Sequence, residues 1–400
     1  MIKRTSILAV VIFLFLTLFS PGLTWAQNEL TVLDSSAQAE FPYRLNFSLS
    51  AESDVDITDI RLHYRVDRIG FAQVTSEVYI EFVPATAVST SRTLEMVRIG
   101  GLPPGSSVEY WWTVADAKDN KVATNPVRVP FSDNRYSWQS LTEGMVALYW
   151  YGGDESFAQE LMAAAQQALE RLGEYTGAEL EKPVKLYIYA SAQDLQGSMI
   201  YPQEWTGGVA FTRYGIMAIG IGPDSLDWGK RAIAHELTHL VIHQITLNPY
   251  SGLPTWLDEG LAMHSEGPLE PVFTGWLDFA IAENSLISVQ SLSSPFSAYA
   301  EEASLSYAQS YSLVEFLIGS YGRGKMFELL NTFREGSTYD GALEKVYGFD
   351  MDGLDALWQD WVTQPEQSVA EKGMQPVLVG AGSFKWGAVE EIKRLREETA

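Results

Sequence analysis

The sequence predicts two consecutive folded domains behind a leader segment: an antiparallel β-sandwich over residues 27–135, then an α+β domain over 136–365, with a polar tail at 366–400. Two patterns carry this reading. Apolar residues alternate with period two as far as about residue 130, and beyond it they recur at helical spacing between a few short strands. A length of 400 residues ordinarily makes two or three domains, and 46% hydrophobic with 20% charged residues excludes a wholly disordered chain. The formal net charge of −24 excludes a generic nucleic-acid binder, because polyanions are repelled. Cysteine is absent, so disulfides, thiolate metal sites and cysteine nucleophiles are excluded as well.

The leader reads Lys3-Arg4, an apolar run from Ile7 to Phe19, the breaker pair Pro21-Gly22, and the small-residue end Thr24-Trp25-Ala26. This pattern predicts a secretory signal peptide over 1–26 and an extracytoplasmic or secreted product. The run is shorter than the ~20 apolar residues of a spanning helix, so no stable membrane anchor is expected in the mature chain. Loss of Lys3 and Arg4, the only charges in 1–26, takes the net charge from −24 to −26.

In the first domain, strands are expected at Tyr43 to Phe47, Ile60 to Val66, Val78 to Phe82 and Val108 to Val114, with turn signals such as Asp119-Asn120 between them. The stretch Leu102-Pro103-Pro104-Gly105 before Val108 resembles the strand entry of fibronectin type III domains. Val108 stands where that family carries a corner tyrosine, so the resemblance implies the broader immunoglobulin-like class. A spacer or positioning domain without a ligand of its own is the simplest role for it. After a polar joint at 132–144, a helix is expected over 157–172, ending at Gly173 to Gly177, and strands at 184–189, 208–211 and 216–221. Helices follow at 228–245, 254–263, 274–282, 303–321, 325–334 and 354–361, with a short one at 389–395 in the tail.

The chemistry concentrates in one helix. His235-Glu236-Leu237-Thr238-His239 sets two imidazoles four residues apart on one helix face, the spacing that lets both reach one Zn²⁺. Glu236 then lies beside the ion, placed to exchange a proton with water. The flanking residues are apolar, and no charge follows Glu236 until Asp258. A buried helix that carries such polar groups needs a partner for them, and a metal supplies it. His243 lies about 12 Å from His235 along the helix axis, too far to join the same ion. Ile242 and Ile245 occupy the positions of the metzincin glycine and third histidine, which excludes that class. A third ligand must come from a second helix, and the segment Pro254-Thr255-Trp256-Leu257-Asp258-Glu259-Gly260-Leu261-Ala262 offers Glu259, twenty residues after His239.

His-Glu-x-x-His followed by Trp-Leu-x-Glu-Gly-x-Ala resembles the gluzincin metallopeptidases, most closely the peptidase MA-like domains of exported bacterial proteins. The resemblance extends from Trp150 to Trp361. It implies one Zn²⁺ per chain held by His235, His239 and Glu259, with Glu236 as general base. It also implies Tyr307 as oxyanion donor, with Tyr311, one turn on, as its substitute. Peptide or protein is the implied substrate. Aminopeptidases of the same clan carry Gly-x-Met-Glu-Asn on the strand before the zinc helix, where the glutamate grips the substrate amine. Here Gly215-Ile216-Met217-Ala218-Ile219 stands in that place without a carboxylate. The alternative reading is a cell-envelope protein whose peptidase-like domain binds peptide or glycan without cleaving it, and an intact Glu236 speaks against that.

Asp258 reads equally as support for a ligand histidine or as an exposed neighbour. His63 and His264 read as ordinary satisfied polar residues, and Trp111, Trp112 and Trp256 as packing rather than as sugar platforms.

Overall fold

The computed structural model describes residues 30–70, 72–202, 206–297 and 300–363. The expected signal segment, the tail 366–400 and its short helix lie outside the described residues. Seven strands form the first sheet: β1 (Thr31–Glu40), β2 (Arg44–Val66), β3 (Thr75–Tyr79), β4 (Ala85–Glu95), β5 (Ser106–Asp116), β6 (Lys121–Ala123) and β7 (Val127–Phe131).

This N-terminal region is rich in sheet, as expected, but its strands make one hydrogen-bonded sheet rather than two facing ones. The reason is β2, where the sequence suggested two separate strands. Its 23 residues continue through Asp54 and Asp56, pairing first with β1 and β4, then with β3 and β5. Register shifts fall between Glu52 and Ile57 against β4, and between Ile57 and Asp59 against β5. Phe47 and Tyr64, both on β2, would lie about 56 Å apart on a straight strand at ~3.3 Å per residue. Their ring centroids are 6.4 Å apart. The strand therefore curls, and its halves face each other across a core of Leu45, Phe47, Leu49, Ile57, Ile60, Tyr110 and Trp112.

The second sheet has the order β11-β12-β10-β9-β8, built from β8 (Gln139–Glu143), β9 (Val146–Trp150), β10 (Val184–Tyr189), β11 (Gly208–Phe211) and β12 (Ile216–Gly220). The three inner strands are parallel, while β8 and β11 run antiparallel at the two edges. Both faces are covered, which is why β10 reads as an almost unbroken apolar run. Leu186, Ile188, Met217 and Ile219 enter the main core, and Tyr187, Tyr189 and Ala218 pack on the opposite face with Tyr136, Trp138 and Tyr151.

Ten helices accompany this sheet among the described residues: α1 (Glu155–Thr176), α2 (Ala192–Gln196), α3 (Leu226–Ile245), α4 (Thr255–Glu266), α5 (Pro271–Ala282), α6 (Val289–Leu292), α7 (Ala300–Tyr321), α8 (Arg323–Arg334), α9 (Tyr339–Tyr347) and α10 (Met351–Thr363). Asp154 caps α1 by accepting from the Phe157 amide at 2.9 Å, and Gly177 ends it in the left-handed conformation. The two regions meet where Lys185 Nζ donates to the Gly105 carbonyl at 2.7 Å and the Ile69 amide to the Arg213 carbonyl at 2.6 Å. No helix among the described residues is long and apolar enough to cross a membrane.

Candidate metal centre

Helix α3 buries Ile233, Leu237, Leu240, Val241 and Ile242 in the main core, which fixes its rotation. His235 and His239, one turn apart, share another face of the helix, which Ile242 continues, and Glu236 lies between that face and Leu240. Helix α4 packs beside it through a buried hydroxyl clasp: Thr238 Oγ1 lies 2.7 Å from Ser265 Oγ, and Ser265 Oγ donates to the Ala234 carbonyl at 2.9 Å. Trp256, Leu257 and Leu261 anchor α4 on its own buried side. Glu259 is thereby turned toward the two histidines.

The ligand atoms of His235, His239 and Glu259 lie within 4.8 Å of one another. Glu259 Oε2 stands 3.4 Å from His235 Nε2 and 3.6 Å from His239 Nε2. A tetrahedral ion with bonds of ~2.0–2.1 Å separates its ligand atoms by roughly 3.3–3.4 Å, so the spacing fits Zn²⁺ closely. Glu259 Oε2 is also buried with no hydrogen-bond partner, the state of an acceptor built to meet a cation.

Each imidazole is held from behind by a carboxylate of α4. His239 Nδ1 bonds Asp258 Oδ1 at 2.9 Å, and His235 Nδ1 bonds Glu266 Oε1 at 2.8 Å. A carboxylate only accepts, so in the neutral form of each imidazole Nδ1 carries the proton and the Nε2 lone pair faces the metal position. Asp258 thus takes the supporting role rather than that of an exposed neighbour. Glu266 was missed in the sequence, although its place seven residues after Glu259, two turns along the same helix face, is a legible signal. Arg231 holds Glu266 in turn at 3.1 Å and reaches Glu270 at 3.3 Å.

The electrostatics follow from burial among these charges. Desolvation raises the Glu236 carboxyl above the ordinary range, outweighing the nearby histidines. Burial opposes charge on His235, but the adjacent carboxylates of Glu259 and Glu266 prevail and lift it to about 10; His239 rises in the same way beside Asp258 and Glu259. Glu259 moves the opposite way, down to about 2, because the histidines outweigh its desolvation.

Tyr307 on α7 is mostly buried, and its ionisation is opposed first by that burial and then by the charges of Glu259, Glu236 and Glu266. Its hydroxyl therefore stays protonated beside the cluster. Tyr311 belongs elsewhere: its ring stacks on His264 at 5.6 Å, and His264 bonds Glu315 at 3.0 Å. His63 is satisfied by Thr113 at 2.9 Å and stacks on Trp111, while Trp112 and Trp256 are buried in packing.

The stretch Gly215 to Ile219, compared in the sequence with the amine-gripping motif, falls mainly on the inner strand β12. The edge strand β11 also packs against α3, beside Glu236. A Cβ added to Gly208 would sit 2.9 Å from Glu236 Oε1, so β11 passes close to that carboxylate. Like Gly215 to Ile219, the β11 residues Gly208 to Phe211 carry no carboxylate.

Among solved structures, the chain is similar to an M1 zinc metallopeptidase from Deinococcus radiodurans, at 14% identity and a TM-score of 0.33, over 85% of this chain and 96% of that one. It is similar to aminopeptidase A of Legionella pneumophila in complex with aspartic acid, at 10% identity and a TM-score of 0.37, over 84% of this chain and 50% of that one. It is also similar to a catalytically inactive OgpA from Akkermansia muciniphila bound to an O-glycopeptide, at 10% identity and a TM-score of 0.20, over 28% of this chain and 32% of that one. This chain thus spans half of the Legionella enzyme and about a third of OgpA. None of the curated proteins matches the sequence. The family model described as Peptidase MA superfamily matches residues 164–364, half of the chain and the whole of α3, α4 and α7. With His235, His239 and Glu259 gathered inside that span, the chain belongs to the Peptidase MA superfamily as a gluzincin-like domain.

Proposed function

We propose that this protein is an exported zinc-dependent peptidase that hydrolyses peptide bonds in peptide or protein substrates. The observation that carries the reading is the convergence of His235, His239 and Glu259, with Glu259 Oε2 left without a hydrogen-bond partner at their centre. Held by these three side chains, Zn²⁺ would polarise the scissile carbonyl and lower the pKa of water.

The chain's own residues do the rest. Glu236, raised by desolvation, accepts the proton of the attacking water and returns it to the departing amine. Tyr307, kept protonated, donates to the carbonyl oxygen as negative charge develops there. Asp258 and Glu266 hold the two imidazoles in the tautomer that leaves Nε2 free. The edge strand β11 offers backbone groups to an extended peptide, and the lack of a carboxylate along Gly208 to Phe211 favours cleavage within a chain over capture of a free amine. Export rests on the leader pattern Lys3-Arg4, Ile7 to Phe19 and Thr24-Trp25-Ala26.

The test is digestion of a mixed peptide library by the zinc-loaded protein beside Glu236→Gln, with mass spectrometry of products and elemental analysis of both. The wild type should cleave and carry about one zinc per chain, and the variant should keep the zinc and lose cleavage. Equal cleavage by both proteins removes Glu236 from the chemistry. No cleavage by a zinc-loaded wild type turns the reading toward a peptide- or glycan-binding protein.

A further inference from the structure

His243 is left over by the zinc site. It lies one turn beyond His239 on α3, with a side chain 36% exposed, and its Nε2 bonds Asp258 Oδ2 at 2.8 Å. Asp258 therefore accepts from two imidazoles at once, one on each oxygen, His239 Nδ1 on Oδ1 at 2.9 Å and His243 Nε2 on Oδ2. We infer that His243 is a positioning residue for metal binding: it pins the Asp258 carboxylate, and through it the orientation and tautomer of His239. The inference rests on the zinc reading above.

The physical reason lies in the torsions. The terminal torsion of an aspartate is broad and roughly two-fold, so a carboxylate held by a single hydrogen bond rotates and exchanges its oxygens. With its second oxygen fixed by His243, the Asp258 plane is defined by two donors from the same helix, whose ring centroids stand 6.4 Å apart. Oδ1 then stays in line with His239 Nδ1–H, and the His239 lone pair stays aimed at Glu259 Oε2, 3.6 Å from Nε2. His235 has a counterpart in Arg231, which fixes Glu266 in the same manner with a guanidinium instead of an imidazole. Each zinc histidine is thus backed by a carboxylate of α4, and each carboxylate by a basic side chain of α3.

The competing account is that His243, in the last turn of α3, only complements the helix dipole. That role affects folding and leaves metal affinity and tautomer untouched. The experiment uses the full chain stripped of metal, titrated with Zn²⁺ against a chelator of known affinity, for wild type, His243→Leu, His243→Gln, Asp258→Ala and the double variant His243→Leu/Asp258→Ala. Thermal melting of each metal-free protein and nitrogen-15 NMR of the His239 ring accompany the titration. The expected result is a ~10–100-fold weaker zinc affinity for His243→Leu, mixed tautomers at His239, and an unchanged metal-free melt. His243→Gln keeps a donor near Asp258 and should restore affinity. In the Asp258→Ala background, His243→Leu should have no further effect, because the path from His243 to His239 is already cut. Wild-type affinity in His243→Leu, or full additivity with Asp258→Ala, overturns the inference. A wild type that binds no zinc overturns the zinc reading itself, and the inference with it.

Discussion

Tyr307 and Tyr311 lie one turn apart on α7, yet their surroundings assign them different work. Tyr307 faces the carboxylates of Glu259, Glu236 and Glu266, whereas Tyr311 stacks on His264 and is pushed up to about 12 by burial and Glu315. With Tyr307 as the proposed oxyanion donor, removing its hydroxyl should lower kcat about 10²- to 10³-fold, while KM and zinc content hold. Tyr307→Phe is expected to show this loss and Tyr311→Phe to stay near wild type, read from steady-state kinetics beside thermal melting. A loss in Tyr307→Phe that only tracks stability would make that tyrosine a packing residue.

At the scale of elements, the site depends on how closely α7 approaches α4. A Cβ on Gly260 would lie 2.4 Å from the Ser310 carbonyl oxygen and 2.7 Å from Val314. The glycine after the ligand Glu259 therefore lets the Tyr307 helix seat against the ligand helix. Gly260→Ala forces the two backbones apart and should cost about 1–3 kcal/mol. It should also cut activity beyond its effect on melting, because Tyr307 moves away with α7; activity intact at a lowered Tm would refute the second part.

The turn between β5 and β6 is held by a buried carboxylate. Asp116 is buried there and bonds Ser53, Asn120 and the amides of Lys118 and Asn120. Burial raises its pKa, but these donors together outweigh it and hold the carboxyl below its ordinary value. A carboxyl depressed in the folded state adds stability that is complete above its unfolded pKa, near ~4, and is lost as pH falls through the folded value. Asp116→Asn should melt below wild type at pH 7, and the gap should narrow as pH falls below about 4 in melts recorded across that range. A gap independent of pH would show that ionisation of Asp116 contributes nothing.

For the molecule as a whole, the proposed ligands come from two helices, α3 packed on the sheet and α4 packed against α7. Binding one ion at their junction ties these elements together and favours the folded state by mass action. At free zinc one hundred times its dissociation constant, the gain is about 2.7 kcal/mol. Chelation should therefore lower the Tm, and added Zn²⁺ should restore it in wild type but not in His235→Ala. Equal melting with and without zinc would place the ion outside the folded core.

The sequence by itself determined which side chains could meet: His235 and His239 share one helix face because helical spacing is local, Glu236 adjoins it, and Glu259 follows in a motif of its own. It also determined the long helices and the apolar strands β10 and β12, whose patterns need no partner to be read. The curl of β2 depended on register shifts against β4 and β5, contacts between distant segments that alternation along one strand does not encode. So did the pairing of Glu266 with His235, which requires α3 and α4 to lie side by side. Tertiary structure likewise gives Tyr307 and Tyr311 different surroundings: helix phase puts both on nearly the same face, but only Tyr311 stacks on His264, while the charges of Glu259, Glu236 and Glu266 act on Tyr307. His243 and Asp258 fall under the same rule: fifteen residues apart in the chain, they become one hydrogen-bonded unit only when the two helices meet.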